Sequence, residues 1–421
     1  MPRKFSFETC GGLPYPPKEA AIGMPSTGVR GMLRLIEGKH RDEHQMGWTA
    51  PGFLSHYPGR RNQRIGTARM NISMIGLDTA KSVFQVHGVD ESGKAVLKRK
   101  LQRSEMVPFF EKLPPCTVVL EACGAAHFWA RTLIGLGHDA KLIAPEAVRP
   151  FVKKRKKNDA ADAEGLVTAG RQPGTRFVPV KDTEQQGILA IHTSRAILVK
   201  QQTMLSNSVR GQAAEFGHTA AKGNEKLAEL VTEVEADELV PARARQAIVV
   251  LYDQHRALDE QIETLEAEIV AHAKNDEKAR ILDAIPGVGP ITASLVVATV
   301  SDWSVFKTGR DFAAWAGLVP RQNGTGGKVR LGKITKAGNK QIRKLLVIGA
   351  TSMVHRAEHW DSALGRWTAS LLKQGRPVRL VTVALANKVA RVMWALMAHN
   401  DVYRPQGAVK PSAAASAAVV A

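Results

Sequence analysis

The sequence predicts an α/β domain followed by a mainly helical half. Three observations lead there. Short apolar runs that end in an acid, Ile72 to Asp78 and Thr117 to Glu121, read as buried strands that deliver a charge to a sheet edge. Ile248, Leu251, His255, Leu258, Ile262, Leu265 and Ile269 fall at heptad spacing, the mark of a long helix with an apolar seam. Finally, Ile285-Pro286-Gly287-Val288-Gly289-Pro290 precedes an apolar stretch, Ile291 to Val300, as a Gly-x-Gly turn opening a helix does.

The 421 residues are too many for one compact core, and the texture divides them. Residues 1–70 carry Pro-Tyr-Pro-Pro and scattered glycines with little periodicity, and read as a disordered extension. Met70, directly before the first regular run, is the expected true start; a basic nucleic-acid-binding arm is the alternative. Residues 71–180 form the α/β domain. Strands are expected over 71–78, 82–89 and 94–100, with Asp90-Glu91-Ser92-Gly93 as the turn between the last two. Ser104 is expected to cap a short helix that ends before Pro114. The Glu121 strand follows, then a helix from about 125 to 136 closed by Gly137, and a strand over 139–143. Three hairpin-linked strands followed by alternating helix and strand describe an RNase H-like sheet. Residues 181–280 read as a helical, coiled-coil connector whose seam is made within the chain or between protomers. His255 is expected to be packed and satisfied there, and Asp259, Glu260, Glu263 and Glu266 to form a solvated face. Residues 281–402 form a mainly helical C-terminal domain with a helix-hairpin-helix-like element, and the Ala/Ser/Pro-rich tail 403–421 reads as disordered.

A formal charge of +20 favours a polyanion, by neutralising phosphates and releasing counterions. The three cysteines, Cys10, Cys116 and Cys123, lack metal-binding spacing, so a disulfide scaffold and structural zinc are not expected and a reducing cytoplasm fits. No run of about 18 apolar residues stands out as a membrane span, and no signal-peptide pattern opens the chain.

The chemistry centres on Asp78, Glu121, Asp159 and Asp162. The first two end strands; the last two lie at i and i+3, on one helix face. Four like charges gather only around a cation, and Mg²⁺ is the hard ion that takes carboxylate oxygens and keeps water for a phosphate. The set suits two-metal chemistry on a phosphodiester. Lys153, Lys154, Arg155, Lys156 and Lys157 precede Asp159 and read as phosphate-backbone contacts. Gly287 and Gly289, with the helix they open, can hold a phosphate. Arg321, Lys328, Arg330, Lys333 and Lys336 lie in a stretch that is basic without an acid, around the glycine-rich loop 323–327.

Six motifs in order carry a resemblance: Gly76-Leu77-Asp78-Thr79-Ala80-Lys81, Leu120-Glu121-Ala122, Lys157 to Ala163, Pro286 to Pro290, Gly317-Leu318-Val319-Pro320-Arg321, and Ile334 to Asn339. Over about 71–400 the chain resembles the DEDD-type insertion-sequence transposases, related to the Piv DNA invertases. That resemblance implies a RuvC-like N-terminal domain, a coiled-coil connector and a C-terminal transposase domain with a nucleophilic serine. It also implies double-stranded DNA as partner at element ends and target, a structured guide (bridge) RNA, a homo-oligomer (dimer or tetramer), and a bacterial cytoplasmic, nucleoid-associated location. By position, Asp78, Glu121, Asp159 and Asp162 become the metal tetrad, and Glu164 falls outside it. The family's serine falls on Thr325, a more hindered hydroxyl. Three readings follow: Thr325 is the nucleophile, Thr335 or Ser304 has taken over, or the copy is an inactive nucleic-acid-binding protein. A Holliday-junction resolvase-like Mg²⁺-dependent nuclease, cutting with water, is the remaining alternative.

Overall fold

The computed structural model describes residues 71–152, 159–325, 328–360 and 362–404, without the side chains of Asp159, Thr325, Lys328 and Val329. Segment 1–70, the basic block Lys153 to Lys157 and the tail from 405 lie outside the described residues.

Strands β1 (Met74–Thr79), β2 (Val83–Val89) and β3 (Ala95–Gln102) form an antiparallel meander. Its second turn closes as the sequence predicts. The Gly93 N–H donates to the Asp90 carbonyl at 3.0 Å, and the Asp90 carboxylate accepts from Ser92 Oγ at 2.6 Å and from the Lys94 N–H at 3.0 Å. On the other edge of β1 lie β4 (Thr117–Glu121) and β5 (Asp139–Ile143), both parallel to it, and the antiparallel β6 (Phe177–Val178). The sheet order is β3-β2-β1-β4-β5-β6.

Both faces of this sheet are covered, and the period-2 alternation assigns each residue a side. Ile75, Leu77, Phe84, Val118, Leu120 and Leu142 pack against α1 (Met106–Phe110) and α2 (Ala126–Gly135), through Phe110, Trp129 and Leu133. Val119 and Ile143 face the opposite way, onto α3 (Pro145–Val148) and α4 (Asp159–Gly170), through Val148, Leu166 and Ala169. Ser104 does not cap α1. A 3-10 turn, Arg103–Glu105, precedes that helix, and the Glu105 carboxylate accepts the Gln102 N–H at 2.8 Å.

Two long helices follow, α5 (Thr183–Ala214) and α7 (Ala242–Asn275), with α6 (Asn224–Ala236) between them. They run antiparallel within the chain. Arg195 pairs with Glu266, while Gln202, farther along α5, donates to Asp259, farther back along α7, at 2.6 Å. The heptad positions Ile248, Leu258, Ile262 and Ile269 are buried, as their spacing requires. Two of the acids expected on a solvated face therefore bridge the helices instead. His255 is packed, stacked on Tyr252 at 6.2 Å, but its Nδ1 has no hydrogen-bond partner among the described residues, contrary to the expected satisfied histidine.

The C-terminal core gathers α8 (Glu277–Asp283), α9 (Pro290–Thr299), α10 (Gly309–Trp315), α11 (Lys340–Val354), α12 (Ala363–Lys373) and α13 (Val378–His399). Helix α13 is the one helix among the described residues long and apolar enough to cross a membrane. Its Val381, Leu385, Val389, Ala390 and Met393 are buried in this core. The expected glycine-rich loop is instead a hairpin, β7 (Pro320–Thr325) and β8 (Lys328–Ile334), paired from Pro320↔Ile334 to Thr325↔Lys328. At its base Arg343 donates to the carbonyls of Ala316 at 3.0 Å and Ala337 at 2.8 Å, and Asn339 caps α11 through the N–H groups of Gln341 and Ile342.

Candidate active site

Asp78 and Glu121 sit at the carboxyl ends of neighbouring parallel strands. The register pairs Leu77 with Leu120, so the next residue on each strand is an acid beside an acid. Alternation puts both on the α4 face: Gly76 and Asp78 share a side, as do Val119 and Glu121. Side chains at the ends of β1 and β4 also meet, with Thr79 Oγ1 lying 3.7 Å from the exposed Cys123 Sγ.

Helix α4 brings the other two acids to the same end. A Cβ on Gly76 would stand 2.1 Å from the Ala163 carbonyl oxygen, so only glycine lets the helix backbone lie this close to β1. One turn and more further on, a Cβ on Gly170 would meet Val119 and the Met74 sulfur. Helix and strand thus run in opposite senses, with the N-terminus of α4 towards the carboxyl end of β1. Asp159 opens that helix; Asp162, next to Ala163, is partly buried. The sequence puts Gly76 in a motif without showing its role against α4, whose trace is the run of small residues along that helix, Ala160, Ala161, Ala163, Gly165, Ala169 and Gly170.

Beside the acids a groove of about 250 Å³ runs between β2, β3 and α4, lined by Gln85, His87, Lys98, Arg99 and Glu164 among others. Gln85 is the register partner of Asp78. Burial holds His87 below the usual histidine range, against the opposing pull of Glu164. Glu164 thus belongs to this groove.

The acids' donor chemistry fits a hard divalent cation: all four are carboxylates, carried to one end of one sheet face. Among the described residues no three acidic, histidine or cysteine side chains converge as a metal-binding cluster.

The remaining candidates lie elsewhere. Thr325 ends β7, in a hairpin that pairs with no strand of the six-stranded sheet. Arg321, Arg330, Lys333 and Lys336 are exposed, and Arg321 donates to the Thr335 carbonyl at 3.4 Å. Lys328 is the β8 partner of Thr325. Thr335 follows the hairpin; Ser304 is held by Asp302 at 2.8 Å in a 3-10 turn. Gly287, with φ +79°, is pressed onto α11, where a Cβ would meet Met353 at 2.9 Å and the Gly349 carbonyl at 3.2 Å. Its glycine is explained by helix packing, whereas Gly289 is exposed at the start of α9.

Where α5, α7 and α9 meet, His192 Nε2 lies 2.9 Å and His272 Nδ1 3.0 Å from Ser294 Oγ, and Gln341 of α11 donates to the His192 carbonyl. Burial, with Arg195 and His272 adding, pushes His192 down to about 4.

A protein-family model described as "Transposase" for DEDD proteins of the IS110 group matches residues 75–216, and one described as "Transposase IS116/IS110/IS902 family" matches residues 279–365. The first covers the sheet, α4 and α5; the second covers α8 to α11 with the basic hairpin. The "Probable family 20 transposase" of Pseudomonas aeruginosa is 47% identical over 339 residues, 80% of this chain and 100% of that protein. The "Transposase for insertion sequence element IS1328" of Yersinia enterocolitica is 38% identical over 333 residues, 79% of this chain and 99% of that protein. With near full-length relatives on one side and strand-end acids over a basic, two-part chain on the other, the chain belongs to the IS110/IS116/IS902 family of transposases, enzymes of DNA strand transfer.

Proposed function

We propose that this transposase cuts and rejoins DNA at the carboxyl edge of its sheet, through a covalent link to Thr325. The reading is carried by one observation, the delivery of Asp78, Glu121 and the N-terminus of α4 to the same end of one face. The domain is read as RuvC-like, an RNase H-type sheet spanning 71–180; 181–280 is read as a coiled-coil connector and 281–402 as the transposase domain. Asp78, Glu121, Asp159 and Asp162 would hold Mg²⁺, as two ions. When bound, such ions offset the charge that builds on the phosphate oxygens in the transition state.

The chain's own groups do the rest. The Thr325 oxygen attacks the scissile phosphorus; its bond to phosphorus forms as the bond to one DNA strand breaks, and that strand leaves with a free hydroxyl. A hydroxyl from the partner strand then attacks the stored phosphoester and returns the threonine. Bonds are conserved, so no nucleotide hydrolysis is required. Lys153 to Lys157, Gly287, Gly289, Arg321, Lys328, Arg330, Lys333 and Lys336 hold phosphate backbone, which positions DNA without reading its bases. Sequence choice is left to a structured guide RNA encoded by the element. The Thr325 hairpin and the strand edge must meet on one phosphate, within one protomer or across a homo-oligomer.

The test is a suicide DNA substrate. Wild type and Thr325→Ser should trap a protein–DNA adduct, and Thr325→Ala should not. Asp78→Asn should bind DNA and lose strand transfer by about 10²-fold or more. Free 5′-phosphate ends without an adduct would favour the water-dependent nuclease, and full exchange by Thr325→Ala would remove the threonine from the mechanism.

A further inference from the structure

One strand beyond Glu121, the sheet edge opens into an aromatic cavity of about 230 Å³. Ala144 lines it directly after Ile143, which pairs with Glu121 and accepts the Ala122 N–H at 2.8 Å. The cavity is thus a neighbour of the candidate catalytic edge, and it lies between the α/β domain and the C-terminal core. Phe177 of β6 lies on one side; Phe306 and Trp315 of the C-terminal core lie on the other, their rings 5.5 Å apart. Arg176, Lys181 and Asp302 are its charged members. Asp302 accepts from Ser304 N and Oγ and keeps its charge, so the lining carries two cations against one anion.

We propose that this cavity receives one nucleobase, extruded from the DNA strand beside the phosphodiester being cut. Size supports a single planar ring system: the volume falls below the ~300–1,000 Å³ of pockets that hold drug-sized ligands. Aromatic walls stack on any base, because every base has a π face. Arg176 and Lys181 provide for the phosphate that stays attached to an extruded nucleotide. Extrusion also fits the chemistry of exchange, since a strand about to leave its partner must give up its base pair, and a base with a pocket to enter loses less by unpairing. The inference rests on placing DNA cleavage at the strand edge.

The experiment uses the full chain and the element-end DNA. In complexes of the Asp78→Asn protein, 5-iodouracil placed at successive positions should crosslink at one position next to the cleavage point to the peptide holding Phe177, or to that holding Phe306 and Trp315. Ala144→Phe, which fills the cavity, should lower strand transfer at least about 10-fold on normal DNA. An abasic nucleotide at the crosslinking position should restore it, which no unfolded protein could do. Crosslinks that avoid these peptides overturn the inference, as does wild-type transfer by Ala144→Phe or failure of the abasic rescue. If Asp78→Asn itself still transfers strands, the assignment of the strand-edge acids falls instead, and the rescue assay still decides the cavity.

Discussion

Gly76 acts at the site without touching the reaction. A methyl there meets the Ala163 carbonyl 2.1 Å away, so Gly76→Ala must push α4 off β1 and move Asp162 with it. Overpacking of this kind costs about 1–3 kcal/mol. The expected outcome is a lower urea midpoint together with a loss of strand transfer larger than the instability explains, measured at a temperature where the variant stays folded. A second residue-scale effect is pH-dependent. His192 titrates near 4 in the folded chain and near 6.5 when unfolded, so the unfolded state binds the extra proton first. The stability His192 gains by staying neutral is therefore complete above about pH 6.5 and is lost as pH falls towards 4. Between pH 7.5 and 5 the loss is about 2 kcal/mol. Denaturant melts at the two values should show it, and His192→Asn should show less of it.

Helix α7 gives the cleanest prediction for an element. Ile269 is fully buried in the seam with α5, so Ile269→Ala should cost about 2–5 kcal/mol, while Val250→Ala, 60% exposed on the same helix, should cost little; thermal melts would compare them. The seam was legible in the sequence because heptad spacing leaves few alternatives, and the sheet strands were legible because both flanks of each run change character sharply. Strand β6 was missed because two residues carry no period. The hairpin β7–β8 reads as a loop in the sequence because its glycines are frequent and its few apolar residues, Val329, Leu331 and Ile334, do not keep a period of two. The two residues Gly326-Gly327 between Thr325 and Lys328 were the available signal for a tight turn. At the site, the positions of Asp78 and Glu121 could be read from the ends of apolar runs, and those of Asp159 and Asp162 from their i, i+3 spacing where a helical pattern begins. The fit of α4 on β1 could not, because it depends on a backbone approach that spacing does not reveal.

For the whole molecule, the +20 charge should make DNA binding strongly salt-dependent. Arg330→Ala and Lys333→Ala lie on the exposed hairpin, away from every buried core. Each should weaken binding alike on matched and scrambled DNA and reduce the slope of log K against log salt by about 0.9 per lost phosphate contact, read by fluorescence anisotropy. Unchanged slopes would remove the hairpin from the DNA-contacting surface. The antiparallel pair α5–α7 carries a last consequence. Helix α5 has 32 residues, which gives it a length of about 48 Å. Where it leaves the sheet, it is pinned by the Arg195–Glu266 pair and by the His192–Ser294–His272 contact. Helix α6 rides at its remote end. About 19 residues, roughly 29 Å, of α5 lie beyond Arg195, so a tilt of about 5° of the α5–α7 pair at its pinned end would carry α6 by about 2.5 Å, and any movement of the pair is largest there.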